Sequence, residues 1–251
     1  MRYTMKKLFT IFFIILSINN LNSQIDIVHP PNWWIGFENQ ELQILVKGEK
    51  ISNYDVSIDY PGINLKQIHK ADSPNYLFID LNISNKTKPG TFKIKFKNEN
   101  GDLIHYYKLD NKRVLKEQNN GFDSSDVVYL ITPDRFANGD YSNDIVKGLK
   151  EDRINRDDNY ARHGGDLKGI TKNMEYINEM GFTALWLNPV LINDMKEGSY
   201  HGYATTDYYT IDPRFGTLSD YLDFSERAKK NNIKLIKDII VNHCGLYHWW
   251  M

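Results

Sequence analysis

Ala184-Leu185-Trp186-Leu187 is an unbroken apolar run, opened by Thr183 and closed by Asn188-Pro189. Four apolar residues between turn signals describe a strand buried on both faces, as in a parallel sheet, because a half-exposed strand would alternate apolar and polar positions. Upstream, Leu167–Met180 carries Ile170, Met174, Ile177 and Met180 at helical spacing and stops at Gly181. Before it, Val127–Ile131 is a second apolar run, ended by Pro133. Downstream, Ser219–Asn231 places Tyr221, Leu222, Phe224 and Ala228 on one helical stripe, and Ile233–Val241 forms a third strand closed by Asn242-His243. Strand, helix, strand, helix, strand is the repeat of a parallel α/β fold. Polar residues gather just past each strand's C-terminal end, where open sheets and barrels place their sites.

Residues 24–122 follow a different rhythm. Glu41–Val46, Tyr54–Tyr60, Asn64–Lys70, Tyr76–Ile83, Thr91–Lys97 and Leu103–Leu109 read as short strands separated by Pro61-Gly62, Asn85 to Pro89-Gly90 and Asn98 to Gly101. In Thr91–Lys97, Phe92, Ile94 and Phe96 share one face and Lys93, Lys95 and Lys97 the other, the period-2 signature of a half-buried antiparallel strand. A β-sandwich is expected. Trp33 and Trp34, behind Pro30 and Pro31, have two readings: a sugar-stacking platform or plugs for the core. Lys112–Ser125, rich in Asn, Lys and Glu, reads as the linker to an α/β domain over 123–251.

The chain of 251 residues opens with Arg2, Lys6 and Lys7 before an apolar run from Leu8 to Ile18, with Ser23 as a small residue for cleavage. This is the layout of a signal peptide over residues 1–23. The run is far short of the roughly 20 apolar residues that span a bilayer, so an N-terminal membrane anchor is the weaker reading. No Cys follows it to take a lipid, and export to the periplasm or the extracellular space is expected. A formal net charge of −1 gives no electrostatic reason to bind nucleic acid. A single cysteine, Cys244, excludes an internal disulfide framework and is read as a packed thiol.

Five segments of the second domain, in order, resemble the α-amylase family of glycoside hydrolases. Val128-Tyr129-Leu130-Ile131-Thr132-Pro133-Asp134-Arg135-Phe136-Ala137-Asn138-Gly139-Asp140 is similar to the first barrel strand and loop, and Gly164-Gly165-Asp166-Leu167-Lys168-Gly169-Ile170 to the opening of the first helix. Ala184–Pro189 resembles the second strand, Ser199-Tyr200-His201-Gly202-Tyr203 a substrate-loop motif, and Asp238-Ile239-Ile240-Val241-Asn242-His243 the first conserved region. A sandwich ahead of the barrel, with Pro30-Pro31-Asn32-Trp33-Trp34 and Glu41-Leu42-Gln43, further resembles the neopullulanase and cyclomaltodextrinase branch. The implied fold is an immunoglobulin-like all-β sandwich followed by the first three βα units of a (β/α)8, TIM-type barrel.

The resemblance implies retaining chemistry on α-1,4-glucans: starch, maltooligosaccharides, cyclodextrins or pullulan. By position it makes Asn138, Asp140, Asn143, Asp144, Gly164 (through its carbonyl) and Asp166 the ligands of a Ca²⁺ ion. Calcium takes six to eight hard oxygens, which short Asp and Asn side chains on a loop can supply; such residues also populate ordinary turns. Tyr203 is implied as the aromatic platform under the sugar, with His201 beside it. His243 is implied to bond the hydroxyl of the sugar being cleaved, Asp238 to support the charge network and Asn242 to shape the loop. Asp134 and Arg135 read as an internal ion pair. A retaining mechanism needs a nucleophilic carboxylate and an acid/base carboxyl about 5 Å apart. By resemblance these follow the fourth and fifth barrel strands, and a third Asp follows the seventh, all beyond residue 251. Asp207, Asp212, Asp220 and Asp223 do not stand after barrel strands and are no substitutes. The leading expectation is therefore the N-terminal portion of an exported α-glucan hydrolase, which by resemblance pairs as a homodimer. The alternatives are a non-catalytic carbohydrate-binding protein, an inactive truncated remnant, and an unrelated α/β protein.

Overall fold

The computed structural model describes residues 25–99, 101–112 and 121–251. The expected signal peptide and most of the expected linker lie outside these residues. The chain divides into two compact units, the first ending and the second beginning between residues 112 and 121.

The first unit is two four-stranded sheets. One has the order β1-β3-β6-β5, from β1 (Ile25–His29), β3 (Glu41–Gly48), β5 (Ile63–Lys70) and β6 (Tyr76–Ile83), all antiparallel. The other has the order β2-β8-β7-β4, from β2 (Asn32–Ile35), β4 (Asp55–Ile58), β7 (Gly90–Asn98) and β8 (Gly101–Asn111); only the β2–β8 pair is parallel. Alternation decides which side faces inward: Ile44 and Val46 of β3, Leu77, Ile79 and Leu81 of β6, and Phe92, Ile94 and Phe96 of β7 form one core. The lysines between the β7 aromatics are exposed, as the period-2 reading requires. β1 and β2 were not anticipated, because short strands beside Pro30-Pro31 lack a long alternating pattern. Trp33 packs against the core, in line with one of its two readings, whereas its neighbour Trp34 is 39% exposed.

The second unit is built on a three-stranded parallel sheet of order β13-β10-β9, with β9 at Val128–Ile131, β10 at Ala184–Leu187 and β13 at Lys234–Lys237. The third strand is shorter than the expected 233–241 and ends one residue before Asp238, which leaves Asp238 to Val241 in the following loop. Short helix α1 (Pro133–Phe136) follows β9. The expected helix over 167–180 divides into α2 (Leu167–Lys172) and α3 (Met174–Glu179). Asn173 breaks it: its side-chain Nδ2 bonds the Gly169 carbonyl at 2.7 Å, an alternative to the helical ladder that a short amide side chain readily offers. α4 (Leu218–Lys230) opens on a reciprocal capping box between Thr217 and Asp220. Leu185, Leu187 and Ile131 pack with Ile170, Met174, Ile177, Phe224 and Ala228 into the second core. A hairpin of β11 (Leu191–Ile192) and β12 (Asp207–Ile211), not anticipated, leaves the sheet after β10 and carries the loop 193–206 between its arms. No helix among the described residues is long and apolar enough to cross a membrane.

Candidate functional site

Two clusters form on loops that follow β9, β10 and β13. Tyr203 is the hub of the first. Its hydroxyl donates to Asp238 Oδ2 at 3.1 Å, and the Trp186 indole N–H, from β10, donates to the same oxygen at 3.1 Å. The Tyr203 backbone N–H donates to His201 Nδ1 at 2.9 Å, which assigns the His201 proton to Nε2 in a neutral ring. The two rings stack at 5.8 Å between centroids and 25° between planes. The Tyr203 carbonyl accepts from His243 Nε2 at 3.1 Å, while His243 Nδ1 lies 3.4 Å from Asn242 Nδ2. Tyr208 donates to the His243 carbonyl at 2.5 Å. His201, Tyr203, Asp238, Asn242 and His243 are thus one hydrogen-bonded group, although they come from segments some 35–40 residues apart.

The backbone explains the placement. Gly202 stands at φ +82°, and a Cβ there would collide with the Pro189 carbonyl; only glycine lets the loop pass so close to the end of β10. Burial pushes the His201 pKa down, with the Glu151 carboxylate opposing, and burial, then the bond to Asp238, pushes the Tyr203 phenol up. An aromatic face with imidazole N–H and carboxylate groups around it suits a ligand that offers apolar C–H faces and hydroxyls.

The second cluster lies on the loop after α1. Asp166 caps α2 and is saturated: Oδ1 accepts from the N–H groups of Gly139 (3.1 Å) and Gly169 (2.6 Å), and Oδ2 from that of Asp140 (2.7 Å), with a long 3.5 Å contact to Asn143 Nδ2. Asn138 Nδ2 donates to Asp144 Oδ1 at 2.6 Å. Gly164 abuts both, since a Cβ on it would lie 2.8 Å from Asp144 Oδ1 and 2.9 Å from Asn138 Nδ2. The amide oxygens of Asn138 and Asn143 are buried and accept no hydrogen bond. Two orphaned hard oxygens beside a carboxylate are what an oxygen-seeking cation would satisfy. Asp140 departs from that arrangement. The Lys168 ammonium, 2.5 Å away, and Ser142 engage its two oxygens and hold its carboxyl well below the usual range. Among the described residues no three His, Cys, Asp or Glu side chains converge on a metal-sized point. A cation here would rely on amide and carbonyl oxygens. Asp134 and Arg135 form an ion pair at 2.7 Å, in line with the sequence reading.

Sequence reasoning missed Trp186 as a polar partner, because its run reads as a plain apolar strand. It also missed Glu151, Arg162 and Asn193, buried polar residues of irregular segments that no periodicity marks, and the part played by Ser199 within its motif.

Residues 27–113 match the family model described as cyclomaltodextrinase, N-terminal, and residues 130–251 match alpha amylase, catalytic domain. A cyclomaltodextrinase of Thermoanaerobacter pseudethanolicus is 35% identical over 159 residues, covering 63% of this chain and 26% of that protein. Neopullulanase 2 of Thermoactinomyces vulgaris is 41% identical over 122 residues, covering 47% of this chain and 20% of its own length. A solved alpha-amylase of Anoxybacillus is 42% identical with a TM-score of 0.46, covering 50% of this chain and 26% of that one. The chain spans from a tenth to about a quarter of the length of curated relatives it matches. Residues 130–251 thus match the catalytic domain of the α-amylase family of glycoside hydrolases, and an all-β domain of the cyclomaltodextrinase N-terminal type precedes them, a combination that resembles the neopullulanase and cyclomaltodextrinase branch of that family.

Proposed function

We propose that this chain is the N-terminal part of an exported, retaining hydrolase of α-1,4-glucans, with residues 24–122 as its sandwich domain and 123–251 as the start of its barrel. The observation that carries the reading is the Tyr203 hub: an aromatic platform tied to Asp238, His201 and His243 on the loops beyond parallel strands. Tyr203 stacks under a glucose ring, His201 offers its Nε2–H to a hydroxyl of that ring, His243 lies beside the sugar with its Nε2–H on the Tyr203 carbonyl, Asp238 fixes the phenol, and Asn242 holds the His243 ring. Relatives named cyclomaltodextrinase and neopullulanase support the substrate class. The residues around Asn138 fit a calcium ion through the amide oxygens of Asn138 and Asn143 and the Gly164 carbonyl beside Asp144, while Asp140 and Asp166, which the resemblance adds to the set, are engaged by Lys168, Ser142 and backbone N–H groups; bound there, the ion would supply structural cross-linking of the loop. Residues 1–23 act as the export signal, and the complete protein pairs as a homodimer.

The bond-breaking carboxylates belong to later barrel strands. The 251-residue chain accordingly binds maltotriose without hydrolysing it, whereas a gene product continuing through those strands cleaves it with retention. Titration calorimetry with maltotriose and product analysis by NMR test this. Hydrolysis by the 251-residue chain, lost in Asp207→Asn or Asp238→Asn, overturns the assignment of roles. A second reading, glucan capture by the sandwich alone, draws on exposed Trp34; it requires Trp34→Ala to abolish binding while Tyr203→Ala leaves it intact.

A further inference from the structure

Ser199 begins the turn Ser199–His201 and is fully buried, and three buried side chains from three separate segments take all of its polar groups. Its N–H donates to Glu151 Oε2 at 2.8 Å, its hydroxyl accepts from Arg162 Nη1 at 3.2 Å, and its carbonyl accepts from Asn193 Nδ2 at 3.1 Å. Glu151 is 4% exposed, Arg162 1% and Asn193 0%. Arg214, itself paired with Asp212 at 2.7 Å, closes the cluster by donating to the carbonyls of Glu151 (3.2 Å) and Asn193 (3.0 Å).

Such a cluster is a poor way to gain stability alone, because ions taken out of water recover their hydration only through near-complete bonding, and apolar residues of similar volume often serve as well. It is a good way to hold one loop geometry. The segment 202–206 lies outside any strand; its far end is held by backbone bonds from the Thr206 N–H to the Ile192 carbonyl (2.7 Å) and from the Gly245 N–H to the Thr205 carbonyl (2.8 Å), and its near end, which carries Tyr203, starts from the turn that precedes it and from the approach of Gly202 to Pro189. We infer that Glu151, Arg162 and Asn193 act through Ser199 as positioning residues that set where His201 and Tyr203 stand for a sugar ring. The inference rests on the glucan-binding reading of Tyr203, but its structural half is testable without sugar.

The test compares Ser199→Ala, Glu151→Ala and Glu151→Gln in the 251-residue chain by amide hydrogen exchange and by maltotriose titration. Glu151→Ala removes the acceptor of the Ser199 N–H, and Ser199→Ala the acceptor of Arg162. Each is expected to speed exchange of the Tyr203 amide and to weaken maltotriose binding, both by about tenfold. Exchange of the Leu185 and Trp186 amides in β10 stays at the wild-type rate. Glu151→Gln keeps a carbonyl oxygen for the Ser199 N–H and restores both readouts, which a role as mere buried charge would not allow. Should Glu151→Ala fail to fold, Ser199→Ala carries the test. Wild-type Tyr203 exchange in the folded Ala variants, or a Gln variant that behaves like Ala, overturns the inference. If the wild-type chain ignores maltotriose while Tyr203 exchange responds as stated, the glucan reading falls and the anchor stands.

Discussion

The Tyr203 hydroxyl and the Trp186 indole nitrogen share one acceptor, Asp238 Oδ2, each at 3.1 Å. A residue of the hairpin loop and a residue of the central strand are thereby fixed on a carboxylate just beyond the neighbouring strand. Removing the phenol oxygen and removing the ring should therefore differ. Tyr203→Phe keeps the stacking face and loses a bond to a charged acceptor; maltotriose affinity should fall by less than about tenfold, since Trp186 still holds Asp238. Tyr203→Ala loses the platform and should cost more than about tenfold. Equal losses in the two variants, measured by calorimetry, would show that the ring face does not carry binding.

The orphaned oxygens of Asn138 and Asn143 give the calcium assignment its sharpest consequence. Calcium at about a hundred times its dissociation constant should stabilise the fold by about 2.7 kcal/mol, and EGTA should reverse this. Asn143→Ala should abolish the calcium-dependent rise in melting temperature. Asp140→Asn should blunt it less, because that carboxylate is already bonded to Lys168 and Ser142. A melting temperature indifferent to both EGTA and added calcium sinks the assignment.

Acid should loosen the parallel sheet at an identifiable place. Asp126 precedes β9 and pairs with Lys234 of β13 at 2.7 Å, across the width of the sheet. The Lys234 ammonium, together with the Asp123 N–H and the Thr183 hydroxyl, lowers its pKa from the ordinary 3.8 to about 2. A carboxylate depressed in the folded state stabilises fully above its unfolded pKa, and that contribution is lost as pH falls through the folded value. The melting temperature of the wild type should accordingly drop between about pH 4 and 2 more steeply than that of Asp126→Asn. Parallel curves for the two proteins in scanning calorimetry would refute the coupling.

The architecture was legible wherever one face of an element is consistently apolar. Tyr76–Ile83 was read with its observed bounds, and the stripe of Tyr221, Phe224 and Ala228 placed α4 to within a residue. What escaped was set by contacts distant in sequence. The break at Asn173 depends on a side chain choosing the Gly169 carbonyl. The early end of β13 depends on Asp238 turning toward Trp186 and Tyr203. The site residues came from motif resemblance, and their mutual bonds could not: nothing in the spelling of Ser199 announces that Glu151, Arg162 and Asn193 meet on it.

His201 makes the loop sensitive to pH in a direction that can be worked out. In the neutral ring Nδ1 accepts the Tyr203 N–H; protonation turns Nδ1 into a donor and breaks that bond. Burial disfavours the charged form and holds the pKa below the ordinary 6.5, and the pull of Glu151 toward protonation does not overcome it. The folded chain thus binds fewer protons at His201 than the unfolded chain does. Its contribution is present above about pH 6.5 and is lost as pH falls through the lower folded value. NMR should show a His201 midpoint below 6.5 and, above it, the chemical shifts of an Nε2–H tautomer. Maltotriose affinity should weaken on acidification through that midpoint, because the Tyr203 backbone loses its partner, whereas His201→Asn should flatten this part of the profile. A midpoint at or above 6.5, or an Nδ1–H tautomer at neutral pH, would mean that the ring does not hold the Tyr203 amide, and the pH dependence predicted here would vanish with it.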